Sequence, residues 1–198
     1  MSFTVIRSHE ICAGHRVVGH ESKCRHLHGH NYVFHFHVAP KPLDGASVKG
    51  DPLDQVGRVI DFSVVKSTLC EWLEDNWDHR FLHWDQDELI RGIKVLVDHD
   101  QTHHTPQTVC QKDALHLFDS FVELPFNPTA ENLAAYMVEV IGPRLLDEHG
   151  VELVKCTIEE TSKCHVSYVK RPTIDTAAII STVRSVQAQL SDLKVSVK

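Results

Sequence analysis

The stretch His28-Gly29-His30-Asn31-Tyr32-Val33-Phe34-His35-Phe36-His37-Val38 constrains the fold more than any other part of the chain. Aromatic and β-branched residues recur in it without a helical stripe, so Asn31 to Val38 reads as an extended segment entered by His28-Gly29-His30. Side chains two apart on a strand share a face. His28, His30, Tyr32, Phe34, Phe36 and Val38 therefore lie on one side, and His35 and His37 on the other. Such a strand needs a layer to cover its apolar face, and it leaves two imidazoles at the rim of that face, able to meet one ion. Gly29 removes a side chain between them, where backbone, substrate or metal has to come close.

His15 lies on a preceding extended segment, Phe3 to Val18, which a hairpin brings beside the pair. Three neutral histidines with an open fourth position form the pattern of catalytic zinc, not of closed structural zinc. A lone H-x-H is weak evidence in a chain with sixteen histidines. Cys24, four residues before His28, adds a soft group that can act as ligand, nucleophile or base, and a nearby metal and imidazoles favour its thiolate. A buried inert thiol is the alternative for Cys24, and the better reading for Cys12, Cys70, Cys110, Cys156 and Cys164.

Residues Lys41 to Gly57, with three Gly, two Pro and several Asp, have the composition of a connecting loop. Phe62, Val65, Leu69, Trp72 and Leu73 then follow a spacing of three and four, which predicts a helix started by Asp61 or Ser63 and ending before Asp78. A second stripe, Leu133, Met137, Val140 and Ile141, predicts a helix over Thr129 to Leu146, with Pro128 suited to its start. Val151 to Ile158 and His165 to Val169 read as two more strands. The order is ββααββ, with an insertion at about 85–126 between the helices. In the tail, Ile179, Val183, Val186, Leu190, Leu193 and Val197 repeat at four and three, the seam of a helix packed on its own domain or of an oligomer contact.

A chain of 198 residues fits one domain, here 1–172 with 173–198 as its helical tail. At 42% hydrophobic and 24% charged it has the balance of a soluble globular protein, without a run approaching the roughly 20 apolar residues of a membrane span. The start carries no export signal, so a cytoplasmic location is expected. Six cysteines without a C-x-x-C pair are too sparse for a disulfide-stapled fold and read as reduced thiols. A formal charge of −7 argues against nucleic acid and anionic membrane as partners, which ask for clustered Lys and Arg.

The run Cys24-Arg25-His26-Leu27-His28-Gly29-His30-Asn31 resembles the C-x-x-x-H-G-H-N signature of the 6-pyruvoyltetrahydropterin synthase / 6-carboxytetrahydropterin synthase family. Other pieces follow in family order. Ala13-Gly14-His15 resembles its A-x-H motif, and Gly57-Arg58-Val59-Ile60-Asp61-Phe62 its G-x-V-x-D-F element. Asp78-His79 resembles its D-H pair, Asn127-Pro128-Thr129-Ala130-Glu131-Asn132 its N-P-T-x-E-N element, and Glu160-Thr161 its late E-T motif. The resemblance spans about Phe3 to Tyr168. It implies the α+β tunnelling fold, an antiparallel four-stranded sheet with two helices on one face. The insertion and the tail after Pro172 depart from the family pattern, which bears most on the oligomeric state.

The resemblance further implies a zinc enzyme acting on a pterin triphosphate, 7,8-dihydroneopterin triphosphate, with His15, His28 and His30 holding Zn2+ against the hydroxyls of the substrate side chain. A Lewis acid there eases proton removal from the adjacent carbon. Cys24 becomes the proton-abstracting base. His79 exchanges protons and Asp78 polarises it, a pair that in the family can come from the neighbouring subunit; by itself Asp78-His79 reads as a helix cap and a surface histidine. Glu160 becomes the pterin anchor, because a carboxylate accepts two parallel N–H donors as it does from arginine. Glu131 and Thr129 join it in substrate binding, although a first-turn Glu131 also simply favours the helix dipole. Lys23 and Arg25 lie near enough to Cys24 to meet the triphosphate. A homo-oligomer built on trimers, up to a hexamer, with its site at the subunit interface, is expected.

The three-residue spacer between Cys24 and the H-G-H resembles the bacterial 6-carboxytetrahydropterin synthases, which release acetaldehyde and triphosphate and feed queuosine and deazaguanine synthesis. The alternative, 6-pyruvoyltetrahydropterin formation, eliminates triphosphate only. From other classes, a zinc hydrolase would not require Cys24 or a pterin anchor, and a non-catalytic pterin-binding or structural zinc protein would close the coordination sphere. Three imidazoles also accept iron, cobalt or nickel.

Overall fold

A computed structural model describes residues 3–41, 53–102 and 118–171. β1 (Val5–His15) and β2 (His28–Pro40) pair antiparallel, with Ile11 opposite Tyr32, Ala13 opposite His30 and His15 opposite His28. β2 expresses the alternation read from its sequence: Tyr32, Phe34, Phe36 and Val38 are fully buried, while Val33, His35 and His37 on the other face are only partly covered. Each buried apolar side chain of this size contributes about 1.5–3 kcal/mol.

The first helix, α1, is a continuous run of three segments, Phe62–Val65, a π-helical Lys66–Cys70 and Glu71–Asn76. Asp61 starts it, its carboxylate accepting the Ser63 N–H at 2.8 Å. Beyond it come β3 (Phe81–Trp84), α2 (Glu88–Thr102) and β4 (Phe121–Leu124). The third helix, α3, again has three segments, Ala130–Tyr136, a π-helical Met137–Ile141 and Gly142–Leu146. Both π turns break the 3.6-residue spacing. The consecutive residues Leu69 and Cys70, and Met137 and Val138, are buried, whereas Val140, assigned to the stripe by its spacing, is exposed. β5 (Val151–Thr161) and β6 (Cys164–Val169) end the described chain.

The expected antiparallel four-stranded sheet is corrected to a mixed six-stranded one, in the order β4-β3-β1-β2-β5-β6. β3 runs parallel to β1, with Gly14 opposite Phe81 and His15 opposite Leu82, and β4 runs parallel to β3. These two strands escaped the sequence reading because four residues carry too little alternation, and their partners are far away in the chain. β3, just before the insertion, and β4, within it, thus extend the sheet on the side of β1 that holds His15. α1 and α3 cover the apolar face, and Val65, Leu69, Leu73, Leu133, Met137 and Ile141 join the strand residues in one core. The predicted tail helix, and with it the tail boundary, lies outside the described residues. No helix among the described residues is long and apolar enough to cross a membrane.

β5 changes parity on its way to the site. Val38 pairs with Leu153 but His37 pairs with Lys155, so Val154 is an extra residue, a β-bulge. Val151 and Leu153 are buried before it, Cys156 and Ile158 after it. Glu160 therefore follows Ile158 onto the helix-covered face, while Glu159 points to the other side and meets His35 at 2.9 Å.

Candidate active site

β1 and β2 bring His15, His28 and His30 together at the rim of the core. One ligand atom from each lies within 4.8 Å of the others, and the ring centroids are 4.5 to 5.2 Å apart. Gly29 allows this proximity: a Cβ at that position would lie 2.9 Å from the Ala13 carbonyl oxygen. The close neighbour that Gly29 serves is thus the backbone of β1.

Two of the imidazoles are fixed by main-chain carbonyls. His15 Nδ1 donates to the Pro128 carbonyl at 2.7 Å and His28 Nδ1 to the His26 carbonyl at 2.7 Å. A carbonyl only accepts, so Nδ1 carries the proton and Nε2 presents a lone pair. The Nε2 atoms of His15, His28 and His30 are all buried without a hydrogen-bond partner. Burial lowers the pKa of His15, against the opposing pull of the Pro128 carbonyl, and burial also lowers that of His30. Imidazoles with converging, unpartnered Nε2 atoms are the donor set that zinc takes. Glu160 Oε1 is the nearest acid, 3.5 Å from His15 Nε2 and 3.6 Å from His30 Nε2. Buried Tyr32 donates its hydroxyl to the same Glu160 oxygen at 3.3 Å.

A cavity of about 290 Å³ is lined by His15 and Glu160 together with Cys24, Thr129 and Glu131. Cys24 stands in a short 3-10 turn, Lys23–Arg25, in the β1–β2 connection, and its carbonyl accepts the Val17 N–H at 2.8 Å. Asn127 anchors that connection in both directions, accepting the Val18 N–H at 3.0 Å and donating to the Val18 carbonyl at 2.8 Å. Asn132 in turn donates to the Asn127 carbonyl at 2.9 Å. Thr129 caps α3, its hydroxyl accepting the Asn132 N–H at 3.3 Å. Asn127 and Pro128 thereby hold the Cys24 loop and the His15 ring in fixed relation, a task the sequence did not disclose. His20, Cys164 and His165 also line the cavity and were missed, because nothing in their spacing marked them.

Asp78 and His79 are not among the residues lining this cavity. They follow α1 and sit against β1 on the side of Cys12, where His79 is exposed. Asp78 Oδ1 accepts the Cys12 N–H at 2.8 Å, its Oδ2 meets His79 Nδ1 at 2.8 Å, and the His79 N–H donates to the Cys12 carbonyl at 2.6 Å. Burial acts to raise the Asp78 pKa, but the Cys12 N–H and the His79 ring outweigh it and hold the carboxyl below its usual range. His79 has a φ of 56°, a strained conformation for a non-glycine residue. The pair is thus rigidly held at the surface.

A family model described as 6-pyruvoyl tetrahydropterin synthase matches residues 4–171. The chain belongs to this family. Among tetrahydropterin synthases, the 6-carboxy-5,6,7,8-tetrahydropterin synthase of Rickettsia felis is 30% identical over 158 residues, covering 79% of this chain and 93% of its own. The enzyme of the same description from Haemophilus influenzae is 26% identical over 166 residues, covering 84% and 98%. Two solved structures share the fold. An uncharacterised protein from Wolinella succinogenes superposes with a TM-score of 0.67 at 23% identity, covering 86% of this chain and 99% of its own. The 6-pyruvoyl tetrahydropterin synthase of Caenorhabditis elegans superposes with a TM-score of 0.52 at 23% identity, covering 86% and 97%.

Proposed function

We propose that this chain is a zinc-dependent lyase converting 7,8-dihydroneopterin triphosphate to 6-carboxy-5,6,7,8-tetrahydropterin, with release of acetaldehyde and triphosphate, in queuosine and deazaguanine biosynthesis. The observation that carries the reading is the convergence of three unpartnered imidazole Nε2 atoms, one of them on His15, which lines a cavity together with Cys24 and Glu160. Relatives described as 6-carboxy-5,6,7,8-tetrahydropterin synthases support the choice of product.

His15, His28 and His30 hold the Zn2+, which supplies Lewis acidity toward the oxygens of the substrate side chain. Glu160 accepts the paired N–H donors of the pterin ring, with its carboxylate oriented by the Tyr32 hydroxyl. Glu131 and Thr129 stand at the cavity wall, at the N-terminus of α3, where the helix dipole favours anionic groups. Cys24 is the base that removes the proton. Asp78 fixes the His79 ring through Nδ1, which leaves Nε2 to exchange protons. Since that pair does not line the cavity of its own chain, it serves the site of a second copy in a homo-oligomer of trimers, in the cytoplasm.

Incubation of zinc-loaded protein with 7,8-dihydroneopterin triphosphate, followed by product identification, tests the assignment. Acetaldehyde and the 6-carboxy product are expected. Triphosphate release with a 6-pyruvoyl product and no acetaldehyde would establish the other activity that the family description names. Unchanged turnover in Cys24→Ala protein that retains zinc would instead favour hydrolysis.

A further inference from the structure

Cys12, Asp78 and His79 form a second cluster of metal-ligating side chains, on the face of β1 opposite His15. One donor atom from each lies within 4.8 Å of the other two. A tetrahedral ion with bonds of about 2.0–2.3 Å needs its ligand atoms roughly 3.3–3.8 Å apart, so a side-chain adjustment of about 1 Å closes the set. The frame for it is already rigid. The Cys12 N–H and carbonyl bind Asp78 Oδ1 at 2.8 Å and the His79 N–H at 2.6 Å, so the strand itself keeps carboxylate and imidazole beside the thiol. The thiol donates only weakly, to Asn31 Oδ1 at 3.5 Å. An open recess of about 420 Å³, bordered by Cys12, His79, Arg80 and Ser120 and also by His30, leaves room for a water as fourth ligand.

We propose that Cys12, Asp78 and His79 bind a second divalent transition-metal ion, of the zinc and cobalt class, through a donor set distinct from the three histidines. A thiolate in the donor set selects such ions over magnesium or calcium. The ion displaces the Cys12 thiol proton, and it joins the β1 strand to the turn after α1. One consequence rests on the pterin reading: a ligated His79 cannot exchange protons, so metal beyond the first equivalent slows turnover.

Cobalt titration with equilibrium dialysis tests the site without reference to turnover. In a Cys24→Ser background, metal beyond the first equivalent is expected to bring up a thiolate-to-cobalt charge-transfer band. Adding Cys12→Ser should abolish the band and lower the bound metal by one equivalent, and Cys12→Ala should do the same. Both substitutions keep the main-chain bonds that hold Asp78 and His79. An unchanged band and stoichiometry in the Cys12 variants, or no band in the Cys24→Ser parent, would overturn the proposal. Zinc inhibition of turnover that persists in Cys12→Ser would overturn the catalytic consequence alone.

Discussion

His15 and His28 donate their Nδ1 protons to main-chain carbonyls, so their Nε2 lone pairs are set by the fold before any ion arrives. The parity of H-G-H on a strand made the pair legible in the sequence, a hairpin brought His15 beside it, Cys24 stood out by its position four residues upstream, and the resemblance brought in Glu160. Asn127 was not legible as a clamp, because its partner is a main-chain amide more than a hundred positions away, and spacing records nothing of such a contact. Two predictions belong at this scale. Glu160→Gln replaces a charged pair of acceptor oxygens by an amide with a single acceptor oxygen, and should raise KM for the pterin by roughly 10–100-fold, in line with a loss of about 1.5–3 kcal/mol for a charged hydrogen bond. Steady-state kinetics would show it, and an unchanged KM would remove Glu160 as the anchor. Gly29→Ala places a Cβ 2.9 Å from the Ala13 carbonyl oxygen. Forcing β1 and β2 apart there should cost about 1–3 kcal/mol and reduce bound zinc, read by thermal melting and metal analysis.

Among the elements, β2 and the two long helices were readable because each presents a sustained period to one apolar layer. β3 and β4 were not, since four-residue strands are defined by their neighbours rather than by their own pattern. The π turns in α1 and α3 had no signal either, and they moved Val140 to the surface. β5 carries a titration that belongs to its buried half. Burial pushes the Cys156 thiol well above its ordinary value of 9.0. Its contribution to stability is complete below the unfolded value and is lost as pH rises above it, because the unfolded chain then ionises while the folded one does not. Melting temperature should therefore fall between about pH 8.5 and 10. The slope should be shallower in Cys156→Ala, and an identical slope would remove this thiol from the account.

For the whole molecule, the separation of Asp78-His79 from the Cys24 cavity turns subunit assembly into a catalytic question. Co-expressed Cys24→Ala and His79→Ala chains should regain part of the turnover that each lacks alone, since mixed oligomers pair an intact Cys24 with an intact His79. No recovery in purified mixed oligomers would place the pair in cis or outside the reaction. The insertion meets the molecule at the same edge: Asp87, buried in front of α2, holds Arg16 at 3.1 Å, beside His15. Added chain has thus been tied to the end of the strand that supplies His15 to the histidine group. The bulge at Val154 carries a different lesson. It divides β5 into two reading frames, Val151 and Leu153 in one and Cys156, Ile158 and Glu160 in the other, both turned toward the helices. A residue gained or lost before Val154 disturbs packing and can be absorbed at the strand's entry. The same change between Ile158 and Glu160 would exchange Glu160 for its neighbour, turning the proposed recognition inside out while leaving Cys156 and Ile158 in the core.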